Sequence, residues 1–258
     1  KVNSPISIPK PMYEDNLLEV DYDIPSLNDL GFDEFEVNEN SVFKFKGGET
    51  AGKSRVDDYF FRTKNVSKYK QARNGLLGKN YSSKFSSWLA NGSLSARYIY
   101  NKLIEYENDV EKNESTYWLF FELLWRDFFK YVSMQHRNKF FSKHGIYGNK
   151  KVWSQENSKI KSWINGETKE TFVNANMREL SSTGFMSNRG RQNVANYLTK
   201  ELKVDWRIGA EYFEALLIDY DVHSNYGNWL YNAGIGNDSM PFSCLLYTSP
   251  SPRDAQLS

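Results

Sequence analysis

The sequence predicts a predominantly α-helical domain, and three observations carry that expectation. Apolar residues recur at intervals of three and four over most of the stretch from Phe43 to Asp238. Few segments alternate apolar and polar residues as strands do, and no internal repeat is present. Aromatic residues form 16% of the 258 residues. Rings bury large areas, so this enrichment suits a thick helical core; a ring-shaped cofactor or nucleobase partner is its sharper reading.

Residues 1–42 carry Pro5, Pro9, Pro11 and Pro25 among acidic residues and asparagines, and read as a linker or leader. The domain is expected over 43–238. Residues 42–45, VFKF, read as a short strand, and the helical pattern begins at Tyr59 to Tyr69. Phe85 to Ala90 and Ser95 to Glu107 follow, the latter with Tyr98, Leu103 and Tyr106 close to one face. Thr116 to Gln135 is the clearest helix, where Trp118, Phe121, Trp125, Phe128 and Val132 predict a core-facing stripe. Further helices are expected at Asn176–Leu180, Arg189–Leu202, Ile208–Ile218 and Asn225–Asn232. Residues 239–243 are a junction without assignment. The run CLLYTSPSPRD (244–254) reads as a translated sequencing adapter and AQLS as index sequence, so 244–258 are set aside. The first residue is not Met, and a gene fragment broken at both ends is the expectation.

Charge and composition exclude several classes. Lys+Arg 33 against Asp+Glu 32 gives a net charge of +1, which does not indicate a polyanion-coating protein. No apolar run is long enough for a transmembrane helix, and the N-terminus lacks the apolar core of a secretory signal. The single cysteine, Cys244, excludes a disulfide framework, and His136, His144 and His223 show no metal-ligand spacing. Residues 47–54, GGETAGKS, match the phosphate-binding pattern G-x-x-x-x-G-K-[ST] through Gly47, Gly52, Lys53 and Ser54. A working loop of that kind sits on a parallel sheet with an acidic strand end. Helices follow Ser54 instead, so the match reads as chance.

Four blocks carry a resemblance: ARNGLLGKNYSSKFSSWLANGSLSAR (72–97), YWLFFELLWRDFF (117–129), NANMRELSSTGFMSNRGRQ (174–192) and DWRIGAEYFEALLIDYDVHSNYGNWLYNAGIGND (205–238). In this order they resemble the photolyase/cryptochrome family, and within it the DASH cryptochromes. The resemblance covers the flavin-binding helical domain, without the family's N-terminal α/β antenna domain or its final C-terminal helices.

The resemblance implies FAD held in a U shape. Tyr69, Ser82, Ser83, Lys84, Phe85 and Ser86 match the segment gripping its phosphates and ribityl chain, with Arg126, Asn188 and Arg191 as further contacts. Asp219 and Asp221 match acidic positions near the adenine and the partner of Arg191, and Asn225 matches the residue facing flavin N5. Trp229, Trp206 and Trp153 match the family's electron-hopping tryptophans. Glu122 and Trp125, at i and i+3, match the pair lining the pocket for a flipped pyrimidine dimer. Gln192 and Tyr231 replace a Met and a second pocket Trp of duplex photolyases, a DASH-type feature. Out of this context the serines read as helix caps, the aspartates as a solvated helix end, Asn225 as a turn residue and the tryptophans as core. Departures stand at GETKETFVNA (166–175), where Asn174 replaces an Asp, and at Ser87 and Ala96, which replace prolines.

The implied function is light-driven splitting of cyclobutane pyrimidine dimers by reduced FAD, a carbon–carbon lyase reaction, chiefly in single-stranded DNA. A blue-light photoreceptor with little repair is the alternative. DNA is the expected partner, with Lys150, Lys151, Arg189 and Arg191 suggesting a basic groove. A monomer is expected, as is a folate antenna, methenyltetrahydrofolate, in the full-length protein. The setting is expected to be intracellular, with chloroplast, mitochondrion, nucleus and cytoplasm all open.

Overall fold

The computed structural model describes residues 23, 25–33 and 35–236. The junction at 239–243, the adapter-like run with Cys244 and most of the leader lie outside the described residues.

Helix follows helix. α1 (Glu49–Asp57) runs into a π-helical turn, Asp58–Arg62, and a 3₁₀ turn, Asn65–Lys68, leads into α2 (Tyr69–Ala72). Then come α3 (Ser86–Ala90), α4 (Ala96–Asp109), α5 (Glu114–His136), α6 (Asn157–Ile164), α7 (Thr171–Thr183), α8 (Asn188–Asn196), α9 (Trp206–Leu216) and α10 (Val222–Ala233). Capping chemistry sets the boundaries. Asn113 accepts the Ser115 and Thr116 amides at 2.8 and 3.1 Å and opens α5, while Ser95, Ser187, Asp205 and Asp221 start α4, α8, α9 and α10. α10 ends at Gly234, whose φ of 64° is left-handed.

Among the described residues no sheet forms; an isolated parallel bridge joins Ser154 and Val204. The strand expected at 42–45 is therefore absent. Its rings serve packing, because no neighbouring strand offers a ladder: Phe43 and Phe45 lie 6.0 and 5.6 Å from Trp88. The phosphate-loop motif also dissolves into helix. α1 starts within it at Glu49, Gly52 packs under Leu94 and Trp88, and Lys53 pairs with Glu49 at 2.6 Å.

The core falls into two clusters. Val56, Tyr59, Phe60, Phe85, Trp88, Leu103, Tyr106 and Leu119 form the first. Val132, Trp163, Met177, Leu180, Val194, Trp206, Trp229 and Leu230 belong to the second. The 23-residue α5 contributes to both. Its buried face differs from the expected stripe: Ser115, Thr116, Leu119, Phe129, Val132 and Ser133 are buried, whereas Phe128 is 42% exposed and Trp118, Phe121 and Trp125 are half-buried. α5 is apolar around most of its circumference, so periodicity admits two faces. Contact with α2, α4 and α10 selects between them. On α10, Gly227 permits this approach, since a methyl there would lie 2.6 Å from Cγ of Phe129.

Candidate functional site

Between the two clusters lies a cleft of ≈ 1180 Å³, counting its open mouth. Tyr69, Ser82, Ser83, Lys84, Phe85, Ser86, Glu122, Arg126, Asn188, Arg191, Asp219 and Asp221 line it. A second hollow of ≈ 540 Å³ shares Asn188, Arg191, Asp219, Asp221 and Ser224 with it, and adds Gln192, Asn225 and Trp229. Residues spread over some 160 positions of the chain thus meet around two adjoining hollows.

One wall is the loop before α3. Lys84 has a left-handed φ of 63° and its side chain is buried, the ammonium 3.1 Å from the Tyr81 ring centroid and 3.0 Å from the Ser82 hydroxyl it donates to. Burial pushes its pKa down to about 6; Arg55 and Arg191 push the same way, against Glu179 and Asp219. Glu179 is raised by burial in turn, despite Lys84. The Tyr69 hydroxyl is also raised, by burial first and by Glu122 second.

The opposite wall comes from α5. Glu122 pairs with Arg73, whose guanidinium also lies 4.7 Å from the centroid of the Trp118 ring. Burial raises the Glu122 carboxyl, and Arg73 pulls it back. Arg126 makes a single long bond of 3.4 Å to the Leu89 carbonyl. At the floor, Arg191 donates to both Asp219 oxygens at 2.9 Å and to the Met186 carbonyl at 2.9 Å. This pair is buried on the Asp219 side, which is 2% exposed. Asp221 accepts the Ser224 amide at 2.8 Å and caps α10.

Asn225 is buried on α10 and donates Nδ2 to the Ala210 carbonyl at 3.0 Å, which leaves Oδ1 without a protein partner among the described residues. One turn on, Trp229 lies against Gly209 of α9, 5.1 Å from the Phe213 ring and 6.3 Å from Trp163. Trp206 is one helical turn before Gly209. Trp206 and Trp153 both donate to the Lys143 carbonyl, at 3.3 and 3.2 Å. Trp229 lines the second hollow, Trp206 is fully buried, and Trp153 is 7% exposed.

Trp125 and Tyr231 do not line either hollow. Trp125 packs edge-on to Phe121 and Phe128 instead. The basic groove is also reduced: Arg191 points inward to Asp219, and Lys151 reaches the Ala233 carbonyl. Sequence reasoning missed Arg73, Tyr81, Phe185, Ser187 and Ser224, which line the cleft. All five sit inside the quoted blocks, but no spacing rule shows where their side chains aim.

The donor set suits a phosphate-bearing, ring-containing ligand. Hydroxyls of Ser82, Ser83 and Ser86 and the lightly engaged Arg126 gather at one end, and the Tyr81 hydroxyl is buried with no hydrogen-bond partner. No cluster of metal-ligating side chains occurs among the described residues.

Comparison with known proteins agrees. The sequence profile of the FAD binding domain of DNA photolyase matches residues 118–253. The chain belongs to the photolyase/cryptochrome family. It is 52% identical over 220 residues to a cryptochrome DASH of Gloeobacter violaceus, covering 85% of this chain and 44% of that one. It is 48% identical over 216 residues to the chloroplastic/mitochondrial cryptochrome DASH of Arabidopsis thaliana, covering 84% and 38%. The crystal structure of a Synechocystis cryptochrome superposes with a TM-score of 0.82 at 47% identity, covering 93% of this chain and 48% of that one. The chain thus spans less than half the length of these family members. Among the described residues no helix is long and apolar enough to cross a membrane.

Proposed function

We propose that the cleft holds FAD and that the whole protein is a DASH-type photolyase, splitting cyclobutane pyrimidine dimers in blue light, preferentially in single-stranded DNA. The observation that carries this reading is the convergence of Ser82–Ser86, Arg126 and the Arg191–Asp219 pair on one hollow, with Asn225 and Trp229 on an adjoining hollow that shares the pair. Reduced FAD, when bound and excited, supplies the electron that opens the dimer ring.

The chain's own residues supply position and environment. Hydroxyls of the loop before α3 and the Arg126 guanidinium suit the diphosphate. The Arg191–Asp219 pair ties α8 to the segment that precedes α10. Asn225, with Nδ2 held by Ala210, has Oδ1 left to hold a proton at N5 of the flavin. Glu122 presents a partly desolvated carboxyl that can hydrogen-bond the edge of a flipped base. Trp229, Trp206 and Trp153 form the row along which the protein would resupply an electron from its surface. Gln192, which lines the second hollow, provides less apolar packing than Met, so a flipped dimer gains less and the duplex flipping cost of a few kcal/mol is left uncompensated. The folate antenna of the full-length protein would bind outside the helical domain.

The test is an absorption spectrum of the whole protein incubated with FAD, before and after blue light with a reductant, followed by dimer repair in matched single- and double-stranded oligonucleotides. Flavin bands that bleach, slower bleaching in Trp229→Phe, and faster repair in single strands are expected. Photoreduction without dimer loss would favour the photoreceptor reading. Failure to take up FAD would overturn both.

A further inference from the structure

Arg55 lies behind the loop that forms the serine wall of the cleft and is not among the cleft's lining residues. Its side chain is 2% exposed, with its guanidinium 5.0 Å from the centroids of both the Phe43 and Tyr59 rings. All five of its donors are engaged. Nε donates to the Ser83 carbonyl at 3.0 Å. One terminal nitrogen reaches Asp58 at 2.9 Å and Asn80 Oδ1 at 3.3 Å. The other reaches the carbonyls of Lys79 at 2.9 Å and Ser82 at 3.3 Å. A buried arginine that gathers backbone oxygens of one short loop does more than neutralise Asp58.

The consequence follows from peptide geometry. In a trans peptide the C=O and the next N–H point in opposite directions, and no cis bond occurs among the described residues. Carbonyls of Lys79, Ser82 and Ser83 turned back toward Arg55 therefore turn the amides of Asn80, Ser83 and Lys84 forward. The Ser83 and Lys84 amides have no protein acceptor among the described residues. Lys84, at φ 63°, is left-handed and Phe85 is right-handed at φ −74°, ψ −15°, the alternation that curls successive N–H groups into an anion-binding concavity.

We propose that Arg55 is the positioning residue of the diphosphate end of the site: it holds the 79–84 backbone so that the Ser83 and Lys84 amides face the bound phosphates. The proposal rests on the FAD reading and names the device that shapes that part of the site. Arg55 touches no ligand atom itself. A lysine cannot replace it, because one ammonium cannot present five donors in a fixed fork.

The test is the affinity of the chain for FAD and for riboflavin, which carries the same ring without phosphate, in wild type, Arg55→Gln and Arg55→Lys. Circular dichroism melts monitor folding, and Arg55→Lys keeps a cation beside Asp58 if the glutamine variant fails to fold. The expected result is a loss of FAD affinity of about tenfold or more in both variants, with riboflavin affinity changed less than about twofold. An equal loss for both flavins would assign Arg55 a general structural role and overturn the proposal, as would no loss for either. If wild type takes up neither flavin, the FAD reading fails separately. Hydrogen exchange at residues 82–85 with inorganic pyrophosphate then decides for Arg55. Protection in wild type that Arg55→Lys loses supports the proposal, and the same exchange in both chains overturns it.

Discussion

Gly209→Ala sets helix propensity against packing. Propensity alone favours the change by about 0.8–1 kcal/mol, because alanine loses less backbone entropy in a helix than glycine. Packing opposes it. A methyl on Gly209 would lie 2.6 Å from both Cζ2 and Cζ3 of Trp229, with Cη2 closer still. The indole cannot step aside, being 2% exposed and hemmed in by Phe213 at 5.1 Å and Trp163 at 6.3 Å. Overpacking of a dense core costs about 1–3 kcal/mol or more, so packing wins by about 1–2 kcal/mol. For a domain of this size each kcal/mol moves Tm by about 2–4 °C, which makes a fall of about 5 °C the expected result. Melts of Gly209→Ala, Trp229→Phe and the double variant form the assay. A phenyl ring does not extend to the atoms the methyl would meet, so the double variant should lose about 1 kcal/mol less than the sum of the singles. A Tm that rises in Gly209→Ala, or effects that add, would refute the reasoning.

Arg191→Ala leaves the buried Asp219 carboxylate without its bidentate partner and should cost about 3–5 kcal/mol in urea unfolding, whereas Arg191→Met with Asp219→Leu should cost less. Lys84 should make stability depend on pH. Its folded pKa of about 6 lies below the ordinary lysine value of 10.5, so the unfolded chain binds a proton across that window that the folded chain does not. Stability therefore rises with pH between those values, by up to about 1.4 kcal/mol per pH unit, and falls as pH drops toward 6. In Lys84→Met this dependence should vanish, as read from urea midpoints at pH 7, 8 and 9. Lys53→Ala should change stability by less than about 0.5 kcal/mol, because its pair with Glu49 is exposed. Calorimetry with Mg²⁺ and ATP should show no binding before or after that change, since the GKS residues lie inside α1.

The sequence exposed the helical class and most helix positions because capping residues and periodic apolar residues act locally. Ser95, where the expected helix Ser95–Glu107 begins, caps α4, and Tyr98, Leu103 and Tyr106 lie along it. α6 escaped notice, since eight residues with Ile160, Trp163 and Ile164 as their apolar set give too little periodicity. The buried face of α5 was misjudged for the opposite reason: a helix apolar on several sides leaves the choice to its neighbours. For the site, Ser82–Ser86, Arg126 and Asp219 from the quoted blocks line the cleft, whereas Trp125 and Tyr231 do not, and Arg73 and Tyr81 line it unannounced. Arg55 was illegible. Its role depends on carbonyls 24 to 28 positions away, and a loop's carbonyl directions leave no trace in residue type.

The division of the interior into two clusters bears on how much of this protein persists. Tyr69, Phe85 and Leu119 bring the first cluster to the cleft, and Met186 brings the second. A ligand filling that space acts as a keystone, adding its adhesion to both halves at once. Emptying the space leaves α5, a rod of about 34 Å at 1.5 Å per residue, as a main strut between them. Saturation at one hundred times Kd adds about 2.7 kcal/mol, a large share of the stability of an ordinary domain. A ligand bound to the folded chain alone would in this way link the quantity of folded protein to ligand supply.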